Sequence, residues 1–356
     1  MIPRQKQAVA YCLATLAAFA LGLPSLGAAS QRIHLTPNFT MGESFRYHIE
    51  SQTITTGTTT TPIVNPEAAK QLKQVADLEV RLNVVGVQPA PATNGAPGAA
   101  RLRATYEKAT AATQTDAYDP AAAALDAQYN NLQGRSVEFT IEADGKISHI
   151  TGLDEAVSNP SAAAAVRDWI TGFSPSANLP PEGIAIGQKW SAERPLENTP
   201  LGNLLWRTSS SYLRDEACEL PGQSASAAQN PDEATAGTST GTPAAPVKHV
   251  AASSGPLCAV ILTSFDILRR GSENADATPE EYRHSGLRTS GTWTGKGERL
   301  DTISQQTGML LRSTQTSTQK MDFEIVSAIS GSKIHYAGQV ETQSEITLMP
   351  NAAAAP

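Results

Sequence analysis

Apolar and polar residues alternate along most of this chain, which is the two-residue period of half-buried strands. Phe45, Tyr47 and Ile49 set the first run, and a Thr-rich stretch from Thr53 to Thr61 continues it until Pro62 interrupts. Leu78, Val80, Leu82 and Val84 make the next strand. Leu102, Ala104 and Tyr106 form a third, antiparallel to the second across a Pro/Ala/Gly loop from Gln88 to Ala100. Val137, Phe139 and Ile141 lead into Asp144-Gly145, the strongest short hairpin signal in the chain, with Ile147 and Ile150 on the return strand. Trp206 to Ala217 and Leu257 to Leu268 are strand-like. Gly286 to Leu348 reads as four strands: Leu287–Gly295, Glu298–Gln306, Gly308–Gln319 with Met321–Ser327, and Lys333–Leu348. Their expected turns are at Gly297, Thr307-Gly308 and Ser330-Gly331-Ser332.

A longer apolar period marks helices. Asp119-Pro120 opens one, because Asp caps free N–H groups and Pro fits the first helical position, where no donor is needed. Ala122, Leu125, Tyr129 and Leu132 share its inner face, and Gly134 stops it. Asn159-Pro160 repeats that logic, with Ala163, Val166 and Ile170 on one face, Trp169 close to it and Gly172 at the end. Pro66 to Gln74 is expected to form one or two helical turns. After the Leu179–Gly183 turn, Ile184, Ile186 and Trp190 are expected to approach the core. The fold class that follows is mainly β (α+β): a large curved antiparallel sheet or half-barrel with two or three helices packed on it.

The first residues follow a different pattern. Arg4 and Lys6 precede an apolar run from Ala8 to Leu23, then Pro24 and small residues follow. This is the tripartite export signal, with cleavage expected between Ala29 and Ser30. The run is shorter than the roughly 20 apolar residues of a spanning helix, and no second one follows, so no transmembrane anchor is expected after processing. Cys12 lies in mid-run after Tyr11, which argues against lipidation. The expected organisation is a signal peptide at 1–29, a single β-rich domain at 31–349 and a frayed tail at 350–356.

Losing Arg4 and Lys6 takes the formal net charge from −7 down by two, to −9. With no basic cluster to meet phosphates, nucleic acid is excluded as a partner class. Cys218 and Cys258 are the two cysteines left after processing, an even pair that in an oxidising compartment closes a disulfide. Between them lies a segment at about 221–256 rich in Ser, Ala, Thr, Gly and Pro, expected to be a disordered hairpin tip. A redox or metal role would call for a C-x-x-C or adjacent histidines, and neither is present. Soluble release into an oxidising space is therefore expected, the periplasm first and the extracellular medium as the alternative.

Several phrases together carry a resemblance. They are Met41-Gly42-Glu43-Ser44-Phe45-Arg46-Tyr47, Glu138 to Ile147, Leu179 to Trp190 and Asp301 to Leu310. Their ordering resembles uncharacterised families of exported bacterial β proteins (domains of unknown function). It also looks loosely like the curved-sheet lipoprotein carriers of the LolA type. That second resemblance implies a half-barrel that holds acyl chains over helices, hence a lipid or envelope-protein partner. It carries over no catalytic residue.

Candidate chemistry is sparse. No G-x-S-x-G, H-E-x-x-H, phosphate loop or paired C-x-x-C occurs, so no cofactor or metal is expected. The six histidines are dispersed. Glu281 and His284 could share a helical turn after Thr278-Pro279, but two ligands do not make a metal site. Asp144 reads as a turn residue rather than a catalytic acid. Trp169, Trp190, Trp206 and Trp293 are the candidates for lining a ligand cavity, against the plainer reading that they pack in the core. Two functions remain: a non-enzymatic exported protein that binds an apolar ligand such as a lipid or acyl chain, or a structural or protein-interaction module with no small-molecule pocket. An open cavity or a packed core inside the sheet separates them.

Overall fold

A computed structural model describes residues 31–61, 70–88, 98–115, 120–196, 199–219, 256–271 and 276–350. The export signal with Ala29 and Ser30, all but the last residue of the segment at about 221–256, and the tail beyond 350 lie outside the described residues. Strands β1 (Ser44–Thr60), β2 (Lys70–Val87), β3 (Ala100–Thr115), β4 (Ser136–Ile141) and β5 (Ile147–Thr151) come first. Then follow β6 (Lys189–Pro195), β7 (Leu204–Ala217), β8 (Leu257–Arg269), β9 (Leu287–Ser304), β10 (Leu310–Ser327) and β11 (Lys333–Met349). Helix α1 (Pro120–Asn130) lies between β3 and β4; α2 (Leu153–Ala156) and α3 (Pro160–Gly172) lie between β5 and β6; α4 (Glu280–His284) precedes β9.

All eleven strands form one open antiparallel sheet in the order β5-β4-β3-β2-β1-β11-β10-β9-β8-β7-β6. Two meanders run outward from a shared centre, where the first and last strands pair from Arg46↔Met349 to Thr60↔His335. The chain must therefore pass from edge β5 to edge β6. It does so through α2, α3 and a turn at Pro180–Gly183, which cover one face of the sheet. Apolar residues of β1–β4 meet those of β7–β10 and the helices in a single cluster, with Tyr47, Leu78, Leu102, Phe139, Val166 and Ile170 at 0% exposure. Strands so far apart in the sheet share that cluster because the sheet curves around it. Tyr47 fixes the seam by donating from its hydroxyl to the Leu310 carbonyl at 2.9 Å, and burial raises its phenol well above the ordinary range.

Helix α1 has a further task. Strand β4 pairs with β3 only as far as Thr105↔Ser136, which leaves the rest of that β3 edge without a strand partner. Side chains of α1 take the place of one. Asp126 accepts from the Thr113 N–H at 2.7 Å, and Asn130 accepts from the Ala111 N–H at 2.7 Å, so these edge groups are satisfied without another strand. Asn159 caps α3 by accepting from the Ala162 N–H at 3.1 Å, as its sequence position suggests.

Four expectations change. Residues Lys70 to Gln74, read as helical, belong to β2 and pair with Thr53–Gly57 of β1. Leu72 is their one apolar residue, so no period of two shows there; residues 62–69 lie outside the described residues. The four strands expected after Gly286 are three, because Gly297 sits in mid-strand opposite Phe265 and Ser317 rather than in a turn. Ile186 is 53% exposed, while its neighbour Ile184 is fully buried. Among the described residues four α-helices are present rather than two or three, α2 and α4 being single turns of 4 and 5 residues.

The outer face is ionic. Arg46 bridges Glu79 at 2.7 Å and Glu107 at 2.6 Å, Arg81 also holds Glu107, and Lys108 holds Asp77 at 3.1 Å. A bulge opposite Glu79/Val80 leaves Glu107 outside the β2–β3 register. It turns both Glu107 and Lys108 outward, each to a partner. Charges placed this densely would be costly against lipid, so this face is built for water. Burial works against the charge on Glu107 and Asp77, but hydrogen bonds from Arg81 and Arg46, and from Lys108, overcome it and hold both carboxyls below their ordinary values of 4.5 and 3.8. A lowered folded-state pKa means that the unfolded chain binds more protons as pH falls. Stability from these groups is therefore full above 4.5 and is lost on descending through and below that value. Thermal melts should show a flat neutral region and an acid slope that Glu107→Gln reduces; an unchanged slope would show that the cluster contributes nothing to acid sensitivity.

Candidate functional site: a polar cleft on the inner face

Along each central strand the inner face changes from apolar to polar, one residue pair earlier on β10 than on β1 and β11. On β1, Tyr47 and Ile49 give way to Ser51 and Thr53; on β11, Ile346 gives way to Ser344 and Thr342; on β10, Leu310 gives way to Ser313 and Gln315. The apolar side is filled by the helices. The polar side is open, as a cleft of about 220 Å3 with Gln74 of β2 and Arg299 of β9 completing its floor. Tyr129 of α1 and Ala165, Asp168, Trp169 and Gly172 of α3 form its other wall. Gly172 lets the end of α3 lie close to the sheet, since a Cβ there would stand 3.0 Å from Ile346 Cδ1.

The cleft holds polar groups in two states. Some are committed to the protein. Ser313 Oγ donates to Asp301 Oδ1 at 2.7 Å, and Gln74 Nε2 donates to Asp126 Oδ1 at 3.1 Å. Arg299 Nε lies 2.9 Å from Asp301 Oδ2 as an ion pair, yet is buried without an aligned hydrogen bond. Others are free: among the described residues, Ser51, Thr53, Gln315, Thr342 and Ser344 have no side-chain hydrogen-bond partner, and neither has the Trp169 indole N–H. Among the described residues the Asp168 carboxylate has no hydrogen bond or ion pair. The protein atoms around it exclude part of its solvent and raise its pKa although the residue keeps an exposed surface, and the more distant positive charge of Arg194 offsets this in part. Trp169 packs against Tyr129 with ring centroids 5.6 Å apart, so its ring is held while its N–H stays available. Such a set can bind a molecule rich in donors and acceptors.

The four tryptophans separate. Trp169 lines the cleft. Trp190 packs on the main core and donates to the Asn178 carbonyl at 2.9 Å. Trp206 and Trp293 border a second, smaller cluster around Leu201, Leu204, Ile267 and Ala277, where Trp206 stacks on Phe265 at 4.6 Å and carries the Arg194 guanidinium over its ring at 5.8 Å. Cys218 and Cys258 are joined by a disulfide, with Cα atoms 5.1 Å apart. Asp144 is a turn residue, bonded to the Lys146 N–H at 3.0 Å. Glu281 and His284 lie on α4, which buries no residue. Sequence reading did not single out Asp168, Arg299 or Gln315. Their one signal is position: Arg299 and Gln315 fall on the inner side of their strands, which requires the register to see, and Asp168 sits on the exposed side of α3 that borders the cleft.

No family model matches the chain, and no curated protein matches it. Solved structures to which it is similar include the outer membrane protein OprG from Pseudomonas aeruginosa, at 5% identity over 87% of this chain and 96% of that one, with a TM-score of 0.16. Another is a DUF1329 family protein from Desulfovibrio piger, at 8% identity over 85% of this chain and 87% of that one, with a TM-score of 0.12. Both scores lie well below those of chains that share a fold.

Proposed function

We propose that this protein is a non-enzymatic, exported envelope protein, a single β-rich domain that binds a polar, hydroxyl-rich ligand of saccharide type in its inner-face cleft. The observation that carries this reading is the group of unpartnered hydroxyls and the Gln315 amide beside the free indole N–H of Trp169. Polar groups left unpaired in a cleft await partners from a ligand or water, and an indole face suits the C–H edge of a sugar ring. At about 220 Å3 the cleft is below the roughly 300–1,000 Å3 of drug-sized pockets, so it suits one ring-sized group at the end of a longer molecule. Export is supported by the signal pattern at 1–29 and by the disulfide, which belongs to an oxidising compartment; the periplasm fits first.

Calorimetry with soluble peptidoglycan fragments and neutral oligosaccharides tests this. Binding should weaken about tenfold in Trp169→Ala and less in Gln315→Ala, with circular dichroism confirming that both fold. Absence of saccharide binding, or equal binding by both variants, would overturn it. A second reading, the acyl-chain ligand, is favoured by another feature. A surface cleft of about 440 Å3 between residues 33–36, the β4–β5 turn and the Leu179–Gly183 turn has Ile33, Leu35, Leu179, Pro180, Pro181 and Ile184 in its lining. Native mass spectrometry of the purified protein would reveal a retained lipid if that reading is the right one.

A further inference from the structure

We propose a second, independent site: a divalent transition-metal site of Zn2+ type on the outer face, formed by His48, Glu50 and Asp77. His48 and Glu50 are two apart on β1 and therefore share a face. Asp77 of β2 is the register partner of Glu50. His48 Nε2 lies 3.3 Å from Asp77 Oδ1 and 3.7 Å from Glu50 Oε1, and the three candidate ligand atoms all fall within 4.8 Å of one another. Zinc bonds of about 2.0–2.2 Å to nitrogen and oxygen put tetrahedral ligands about 3.3–3.6 Å apart, so two of the three separations are already near those of a bound ion. Glu50 is 64% exposed at its side chain and can turn to close the third. Both strands are held by continuous pairing, so the backbone need not rearrange to bind.

A second observation concerns charge. Glu50 stands between two carboxylates on neighbouring strands, Asp77 on one side and Glu345 on the other. Like charges directly opposite one another repel. Arg312 takes Glu345 at 2.9 Å and Lys108 takes Asp77 at 3.1 Å, while Glu50 has no Lys or Arg partner among the described residues. A cation between Glu50, Asp77 and the imidazole would relieve that row. The imidazole selects a transition metal over Ca2+ or Mg2+. Lys108 opposes binding, because it already donates to both Asp77 oxygens, so affinity should be moderate and should rise when that cation is removed.

Calorimetry of the chelator-treated full-length mature protein with ZnCl2, paired with thermal melts, tests the site. About one equivalent should bind in the micromolar range and raise Tm, as any ligand specific to the folded state does. His48→Ala and Glu50→Gln should each weaken binding about tenfold or more. Lys108→Met should tighten it. His335→Ala, a control that removes the other His–Asp pair of this face, should leave it unchanged. The site is refuted by a protein that binds no Zn2+ up to millimolar concentration, by affinity unaffected in His48→Ala, or by weaker binding in Lys108→Met. None of these outcomes bears on saccharide binding at the cleft.

Discussion

Replacing Cys218 and Cys258 together with serine is expected to cost about 4 kcal/mol of stability, the chain-entropy value for a loop closed across a sequence separation of 40. The bond acts beyond its two residues. Cys258 is fully buried at the start of β8, opposite Ser304 of β9, while Cys218 continues β7 with its N–H on the Pro256 carbonyl at 2.9 Å. It therefore ties β7, and through it edge strand β6, to the body of the sheet. In a chain of this size the loss should lower Tm by on the order of 5–10 °C. Reductant should lower the Tm of the wild type by the same amount and leave the double-serine variant where it is. If reductant and substitution both leave the melt unchanged, the bond contributes no stability and the β7–β8 ladder alone holds that end.

The strands that were legible in the sequence are those that meet the apolar core. Leu78, Val80, Leu82 and Val84 alternate because every second residue must be buried, and all four are at 2% exposure or less. Where a strand leaves the core, the signal disappears with its cause. Lys70 to Gln74 and the Ser/Thr/Gln stretch of β10 face water or a polar cleft, so nothing selects apolar residues there. Their strand form comes from pairing with distant neighbours. The pairing of β1 with β11 joins residues nearly the whole chain apart, and no local pattern encodes it. For the same reason Trp169 was visible as a residue but the cleft was not, since its lining comes from five strands and two helices. His48 was read as one of six dispersed histidines; Glu50 lies two residues on, and Asp77 joins them only through the β1–β2 register.

Gly297 is where a local signal and the sheet disagree, and Gly297→Ala should destabilise by about 3 kcal/mol. In a solvent-facing turn the same change would cost well under that. The difference arises from packing: a Cβ at Gly297 would stand 2.2 Å from Phe265 Cζ and 2.4 Å from the Thr316 carbonyl oxygen. The Phe265 ring occupies the space that a side chain would need, itself pinned by the stacked Trp206 at 4.6 Å. The carbonyl belongs to β10, so moving it would strain the β9–β10 ladder. Glycine here lets an aromatic ring lie flat against its neighbour strand, a device that recovers packing where a strand lacks a side chain. Phe265→Ala alone should cost about 3–5 kcal/mol. Combining it with Gly297→Ala should cost about 1–2 kcal/mol less than the sum, because the ring clash is then absent while the carbonyl contact remains. Full additivity in denaturant melts would assign the whole penalty to Thr316, and a near-neutral Gly297→Ala would restore the turn that the sequence suggested.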